Sequence, residues 1–146
     1  MDRFEIVELL TAYNFAIDIG DEQACAAIYT NDARYEGPTG TAVGARSIAR
    51  VIRRDIRSRF GNGGRYLMGP VVVDVDGDFA NARSYWWIVS GGERPSVHTL
   101  VFYDELRHTG ERWQVTCRRQ ELHPTWLGVT TVRRRRRRRI VSGQLG

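Results

Sequence analysis

Leu9-Leu10-Thr11-Ala12-Tyr13-Asn14-Phe15-Ala16-Ile17-Asp18-Ile19-Gly20-Asp21 ends one helix, opens a second and carries a carboxylate between them. Ile6, Leu9, Leu10, Tyr13, Ala16 and Ile17 recur at three- and four-residue intervals, so they share one apolar face. Gly20 breaks that helix after about Ile17, and Asp21 can cap a short helix running through Ile28. Upstream, Asp2-Arg3-Phe4-Glu5 has the spacing of a capping box. Asp18 lies between Ile17 and Ile19. Such a carboxylate is either a helix-end polar group or an acid held partly out of water. In the second case burial would raise its pKa and make it a usable proton-transfer group.

Further along, Asn31-Asp32 reads as a turn, Ala33 to Glu36 as a short strand and Gly37-Pro38-Thr39-Gly40 as a loop. Gly44 precedes a third helix. Its apolar stripe is Ile48, Val51, Ile52, Ile56 and Phe60; the other face carries Arg46, Arg50, Arg53, Arg54 and Arg57. Gly61-Asn62-Gly63-Gly64 stops it. The character then becomes β. Tyr66 to Val75 is a strand with an irregularity expected at Gly69-Pro70. Asp76-Gly77 is a hairpin turn. Strands follow over Phe79 to Ser90, Ser96 to Arg107 and Arg112 to Leu122, with turns at residues 91–95 and 108–111. Three helices followed by long meandering strands predict an α+β domain.

The chain has 146 residues, 42% of them hydrophobic, which suits one domain with one core. No apolar run is long enough to cross a membrane. The start, Met1-Asp2-Arg3-Phe4-Glu5, lacks the basic and apolar parts of a signal peptide, so the expected location is the cytoplasm. The net charge of +5 comes from one block, Arg133 to Arg139; without those seven arginines the remainder is slightly acidic. The expected division is a domain over residues 1–132 and an arginine-rich tail over residues 133–146. The tail would hold any polyanion through charge alone, so no specific nucleic acid is expected as a partner.

Cys25 and Cys117 are the only cysteines and read as buried thiols. His98, His108 and His123 are scattered without ligand spacing, which argues against zinc. His108 falls in a turn; His123 would cap a pocket or pack on Trp126. Tyr85, Trp86, Trp87, Phe102, Tyr103 and Trp113 suit either packing or the wall of a pocket for a flat apolar ligand. Arg118 and Arg119 must point to opposite faces of their strand, so one faces inward. No phosphate-binding glycine loop, nucleophile elbow or Cys–His nucleophile pair occurs.

Three features occur in order: Ala16-Ile17-Asp18-Ile19-Gly20-Asp21 with Ile28-Tyr29-Thr30-Asn31-Asp32-Ala33; Val73-Asp74-Val75-Asp76-Gly77-Asp78-Phe79-Ala80; and Phe102-Tyr103-Asp104-Glu105-Leu106 with Trp113-Gln114-Val115 and Arg118. Over residues 4 to 128 the chain resembles the SnoaL-like branch of the nuclear transport factor 2-like superfamily. That branch includes scytalone dehydratase, hexachlorocyclohexane dehydrochlorinase, bile acid dehydratase and polyketide cyclases. The resemblance implies a cone-shaped α+β roll, three helices packed on a curved antiparallel sheet around a deep pocket. It implies a dehydratase, cyclase or isomerase that needs no metal or organic cofactor and acts on a hydrophobic polycyclic or polyketide-like molecule. It also implies a homodimer or homotrimer. The alternative is a non-catalytic binding or assembly module of the same fold.

In dehydratase-like members an Asp ending the first helix pairs with a strand His; Asp18 matches the Asp. The His position falls near Arg65 or Tyr66, and neither is His. Tyr66 or His98 would then supply the acid beside Asp18. Tyr13, Trp87, Phe102 and Arg118 are the expected substrate contacts, with Arg118 placed either beside Asp18 or on an anionic substrate oxygen.

Overall fold

The computed structural model describes residues 1–38, 40–60, 64–90 and 96–123. Helix α1 (Asp2–Ile19) buries Ile6, Leu10, Tyr13, Ala16 and Ile17, the face expected from their spacing. No side chain caps its start: Met1 is the N-cap, and Asp2 and Glu5 lie within the first turn. Their charge there still complements the helix dipole. Gly20 closes α1 in the left-handed conformation, φ 74°, which glycine adopts without a Cβ clash. Asp21 then caps α2 (Glu22–Ala27) by accepting the Ala24 N–H at 2.9 Å.

Strand β1 (Tyr29–Gly37) runs through the Asn31-Asp32 pair that reads as a turn. The pair reverses nothing. Both residues are exposed, and the pairing of β1 shifts register between Tyr29 and Arg34. Turn-forming residues here produce a bulge inside one strand. β2 (Gly40–Val43), which the sequence reading does not anticipate, starts at the last residue of the expected loop and pairs antiparallel with β1. Helix α3 (Ala45–Phe60) buries Ile48, Ala49 and Ile52; the side chains of Ile56 and Phe60 lie outside the described residues.

β3 (Arg65–Asp76), β4 (Phe79–Ser90), β5 (Ser96–His108) and β6 (Trp113–His123) form the antiparallel meander. The irregularity expected at Gly69-Pro70 is present as a register shift between Met68 and Val71. The curved, unclosed sheet has the order β2-β1-β6-β5-β4-β3. Every pairing is antiparallel except β1 with β6, so the sheet is mixed where an antiparallel one is expected.

The inner face of β4 presents Ala80, Ala82, Ser84, Trp86 and Ile88, all buried, with Tyr85 and Trp87 on the other side. Trp86 is the centre of the core. Its ring meets Tyr13, Tyr66 and Phe102 edge-on, at centroid distances of 6.1, 6.3 and 5.3 Å, and its indole N–H donates to Ser84 Oγ at 2.8 Å. Residues 61–63, 91–95 and 124–146, including the Arg133–Arg139 block and Trp126, lie outside the described residues, as does the side chain of His123.

Candidate active site

A hydrogen bond joins the end of α1 to the start of β3. Asp18 Oδ1 accepts the backbone N–H of Tyr66 at 2.8 Å. Asp18 is half-buried, so both readings of this acid hold in part: it bonds backbone and it is partly withdrawn from water. Ile17 beside it is buried, whereas Ile19 points outward.

Asp18 lies on the wall of a cavity of about 200 Å³. The apolar wall consists of Tyr13, Ile17, Cys25, Ala49, Ile52 and Tyr66; Asp18, Glu22, Arg53 and Arg57 supply charge. Glu22 Oε2 receives a hydrogen bond from Arg53 Nη1 at 2.8 Å. Arg53 also reaches toward the end of α1, where a Cβ built on Gly20 would sit 4.0 Å from Nη2. Helix carbonyls at that end attract a cation.

Of the sequence-derived candidates, Asp18, Tyr66 and Tyr13 come together around this cavity. Arg118, His98, Phe102 and Trp87 do not border it. Arg118 is indeed the inward member of its pair, but its partner is Asp104 rather than Asp18. Nε and Nη2 donate to the two carboxylate oxygens at 2.5 and 2.8 Å, and both side chains are wholly buried. Its guanidinium carbon lies 4.5 Å from the Tyr13 ring centre and 4.3 Å from that of Phe102, close enough for cation–π attraction. Burial disfavours its charge, but Asp104 together with Tyr29 and Tyr13 outweighs burial and holds the pKa well above its usual value. Phe102 is thus core, under Arg118 and Trp86. Trp87 alternates to the outer sheet face, where its ring covers Gly69. His98 sits opposite Ile88 near the beginning of β5, half-buried. His108 ends β5 with its ring against Trp113, 5.4 Å between centroids, rather than lying free in a turn.

Behind the cavity wall the Tyr29 hydroxyl donates to Tyr13 Oη at 3.2 Å. Burial raises both phenols, Tyr29 to about 12 and Tyr13 in the same direction. Burial likewise pushes the Cys25 thiol up to about 11, which keeps it a neutral thiol at neutral pH. Cys117 is free and only partly covered. Among the described residues no three His, Cys, Asp or Glu side chains converge as metal ligands would, and no helix is long and apolar enough to cross a membrane.

Sequence reasoning missed Glu22, Cys25, Arg53 and Arg57 as cavity residues. The signal for the arginines was present: each directly follows a stripe position, Ile52 or Ile56, and so borders the buried face of α3.

Similar structures share this architecture. An NTF2-like protein with a cystatin-like fold from Novosphingobium aromaticivorans is 27% identical, with a TM-score of 0.73 over 83% of this chain and 81% of that one. A Nostoc punctiforme protein of unknown function, also cystatin-like, gives 22% and 0.74 over 85% and 92%. Hexachlorocyclohexane dehydrochlorinase LinA-type3 from Novosphingobium barchaimii gives 16% and 0.74 over 84% and 86%. Among curated proteins none matches. The SnoaL-like domain model matches residues 1–119, which takes in both helices around Asp18, the third helix and the sheet through most of β6. With this match added to the fold and the cavity, the chain belongs to the SnoaL-like family.

Proposed function

We propose that the protein is a cofactor-independent acid–base enzyme that removes a proton beside a carbonyl and then eliminates water or rearranges the substrate. The observation that carries this reading is the position of Asp18, half-buried on the cavity wall and oriented by the Tyr66 N–H. A base must sit within reach of its proton in a held geometry before its pKa matters. Only one carboxylate oxygen is engaged by that amide, which leaves the other lone pairs for a substrate proton. Likeness to a dehydrochlorinase, whose reaction is also an elimination, adds support.

In a dehydration, Asp18 takes the proton from carbon and that bond's electrons form the new double bond. The carbon–oxygen bond breaks, and hydroxide leaves as water with the phenolic proton of Tyr66. The proton acquired by Asp18 then returns to the phenol through solvent. Tyr66 lines the cavity and His98 does not, which favours the phenol over the imidazole as the acid. A cavity of about 200 Å³ is smaller than the ~300–1,000 Å³ of most ligand sites. One- or two-ring substrates therefore suit it better than polycyclic ones. The protein is proposed to act as a homodimer or homotrimer, with Arg133–Arg139 outside the catalytic unit.

The test is proton–deuterium exchange at the α-carbon of 1-indanone and related small aromatic ketones in D₂O, followed by NMR. The parent should exchange them faster than buffer, and Asp18→Asn should not. A second reading, a binding module without chemistry, draws on the same hydrogen bond, because a carboxylate that ties α1 to β3 has a structural use. Binding of these ketones without exchange above buffer would establish that reading instead.

A further inference from the structure

Helix α3 carries Arg50, Arg53, Arg54 and Arg57, spaced three and four apart, so they form one ridge. The ridge borders a shallow groove next to the cavity, and among the described residues Glu22 is the only acid in that groove. Arg53 and Arg57 belong to both groove and cavity. Glu22 lies 2.8 Å from Arg53 and 4.0 Å from Arg50. Glu22 therefore neutralises one charge of four. Arg57 has no ion-pair partner among the described residues and is exposed at the cavity mouth. A solvated arginine face would explain Arg50 and Arg54. It does not explain why two of the four line a cavity whose remaining charged groups, among the described residues, are Asp18 and Glu22, leaving Arg57 unpaired beside the apolar wall.

We propose that the ligand of this cavity is a small amphiphilic anion, its apolar body against Tyr13, Ile52 and Tyr66 and its carboxylate at the mouth on Arg57, with Arg53 in support. The inference rests on the cavity being the substrate site and is independent of whether Asp18 is a base. A guanidinium matches a carboxylate with two parallel N–H donors. The same fields explain how an anion approaches a site that contains Asp18. Around cavity and groove together, four arginines face two acids among the described residues and set the local potential.

The experiment is calorimetric titration of the full chain with 3-phenylpropanoate and with 3-phenylpropanol, at low and high sodium chloride. The carboxylate should bind about tenfold tighter than the alcohol, the increment of one charge-assisted hydrogen bond. That advantage should shrink with salt while alcohol binding stays level. Arg57→Gln should abolish the advantage and leave alcohol binding unchanged. Glu22→Gln should increase carboxylate affinity by freeing Arg53, a gain that a structural role for Glu22 would not produce. Equal binding of acid and alcohol, an advantage untouched by Arg57→Gln, or no binding of either overturns the proposal. Asp18→Asn separates it from the catalytic reading. Carboxylate binding should persist or tighten there, because a like charge is removed, even where no ketone exchange is ever found.

Discussion

Arg118 and Asp104 are joined by two hydrogen bonds across the β5–β6 pair, with neither side chain open to solvent. Arg118 Nη1 has no hydrogen-bond partner among the described residues, so the guanidinium depends on Asp104 and on the Tyr13 and Phe102 rings. Asp104→Asn should cost about 3–5 kcal/mol, because it strands a buried cation. Arg118→Met with Asp104→Leu should recover much of that loss. Urea denaturation of the single and double variants measures both.

Asp18 separates structure from chemistry. In Asp18→Asn the amide oxygen can still accept the Tyr66 N–H, so stability should stay near that of the parent. Turnover should fall by about two or more orders of magnitude if the carboxylate is the base. Asp18→Ala removes the acceptor and should lose a further ~1 kcal/mol of stability. Thermal melts beside the exchange assay distinguish the two variants.

Alkaline pH should unfold the protein earlier than its surface charge alone suggests. Cys25 is raised from about 9 to about 11 and Tyr29 from 10 to about 12, with Tyr13 also raised, all mainly by burial. A pKa raised in the folded state gives stability that is complete below the unfolded value and lost as pH climbs through the folded one. Stability should therefore decline from about pH 9 to pH 12. Tyr29→Phe should flatten the upper part of that decline in a denaturation series against pH.

Gly37 packs against the Tyr35 ring so closely that an added Cβ would lie 2.1 Å from its hydroxyl. Tyr35 is buried and donates to Gln120 Oε1 at 2.7 Å. Gly37→Ala should push the ring off that bond and cost about 1–3 kcal/mol. Gly40→Ala offers the contrast, since its problem is backbone conformation with nothing nearby to clash. A crystal structure or NMR spectra of the first variant should show Tyr35 displaced.

How much of this was readable in advance depended on period. The three- and four-residue repeat in α1 states a buried face, and that face is where the spacing puts it; β4 was legible as a strand, but its run of aromatic residues did not say that Trp86 faces inward and Trp87 outward. The Gly20 stop and the Asp21 cap were equally legible, because each acts on its own backbone neighbours. Asn31-Asp32 misled, since local turn chemistry cannot tell a reversal from a bulge until a partner strand fixes the register. Gly40–Val43 carried too few residues to show alternation. Alternation alone says that one of Arg118 and Arg119 faces inward, but neither that it is Arg118 nor which residue partners it. Asp104 lies on the neighbouring strand, and only the β5–β6 register sets the two opposite each other.

The parallel pairing of β1 with β6 has a further consequence, for the order of assembly. The Tyr35–Gln120 bond joins residues 85 apart. Emerging from a ribosome, the β1–β2 hairpin is complete long before its neighbour exists, and one edge remains unpaired until almost the entire sheet has been made. Closing so long a loop late is slow and leaves a strand edge open to other chains. The meander of β3 to β6 needs no such wait. Refolding should therefore show the meander forming first, with Tyr35 and Tyr29 gaining their native surroundings in the last and slowest phase.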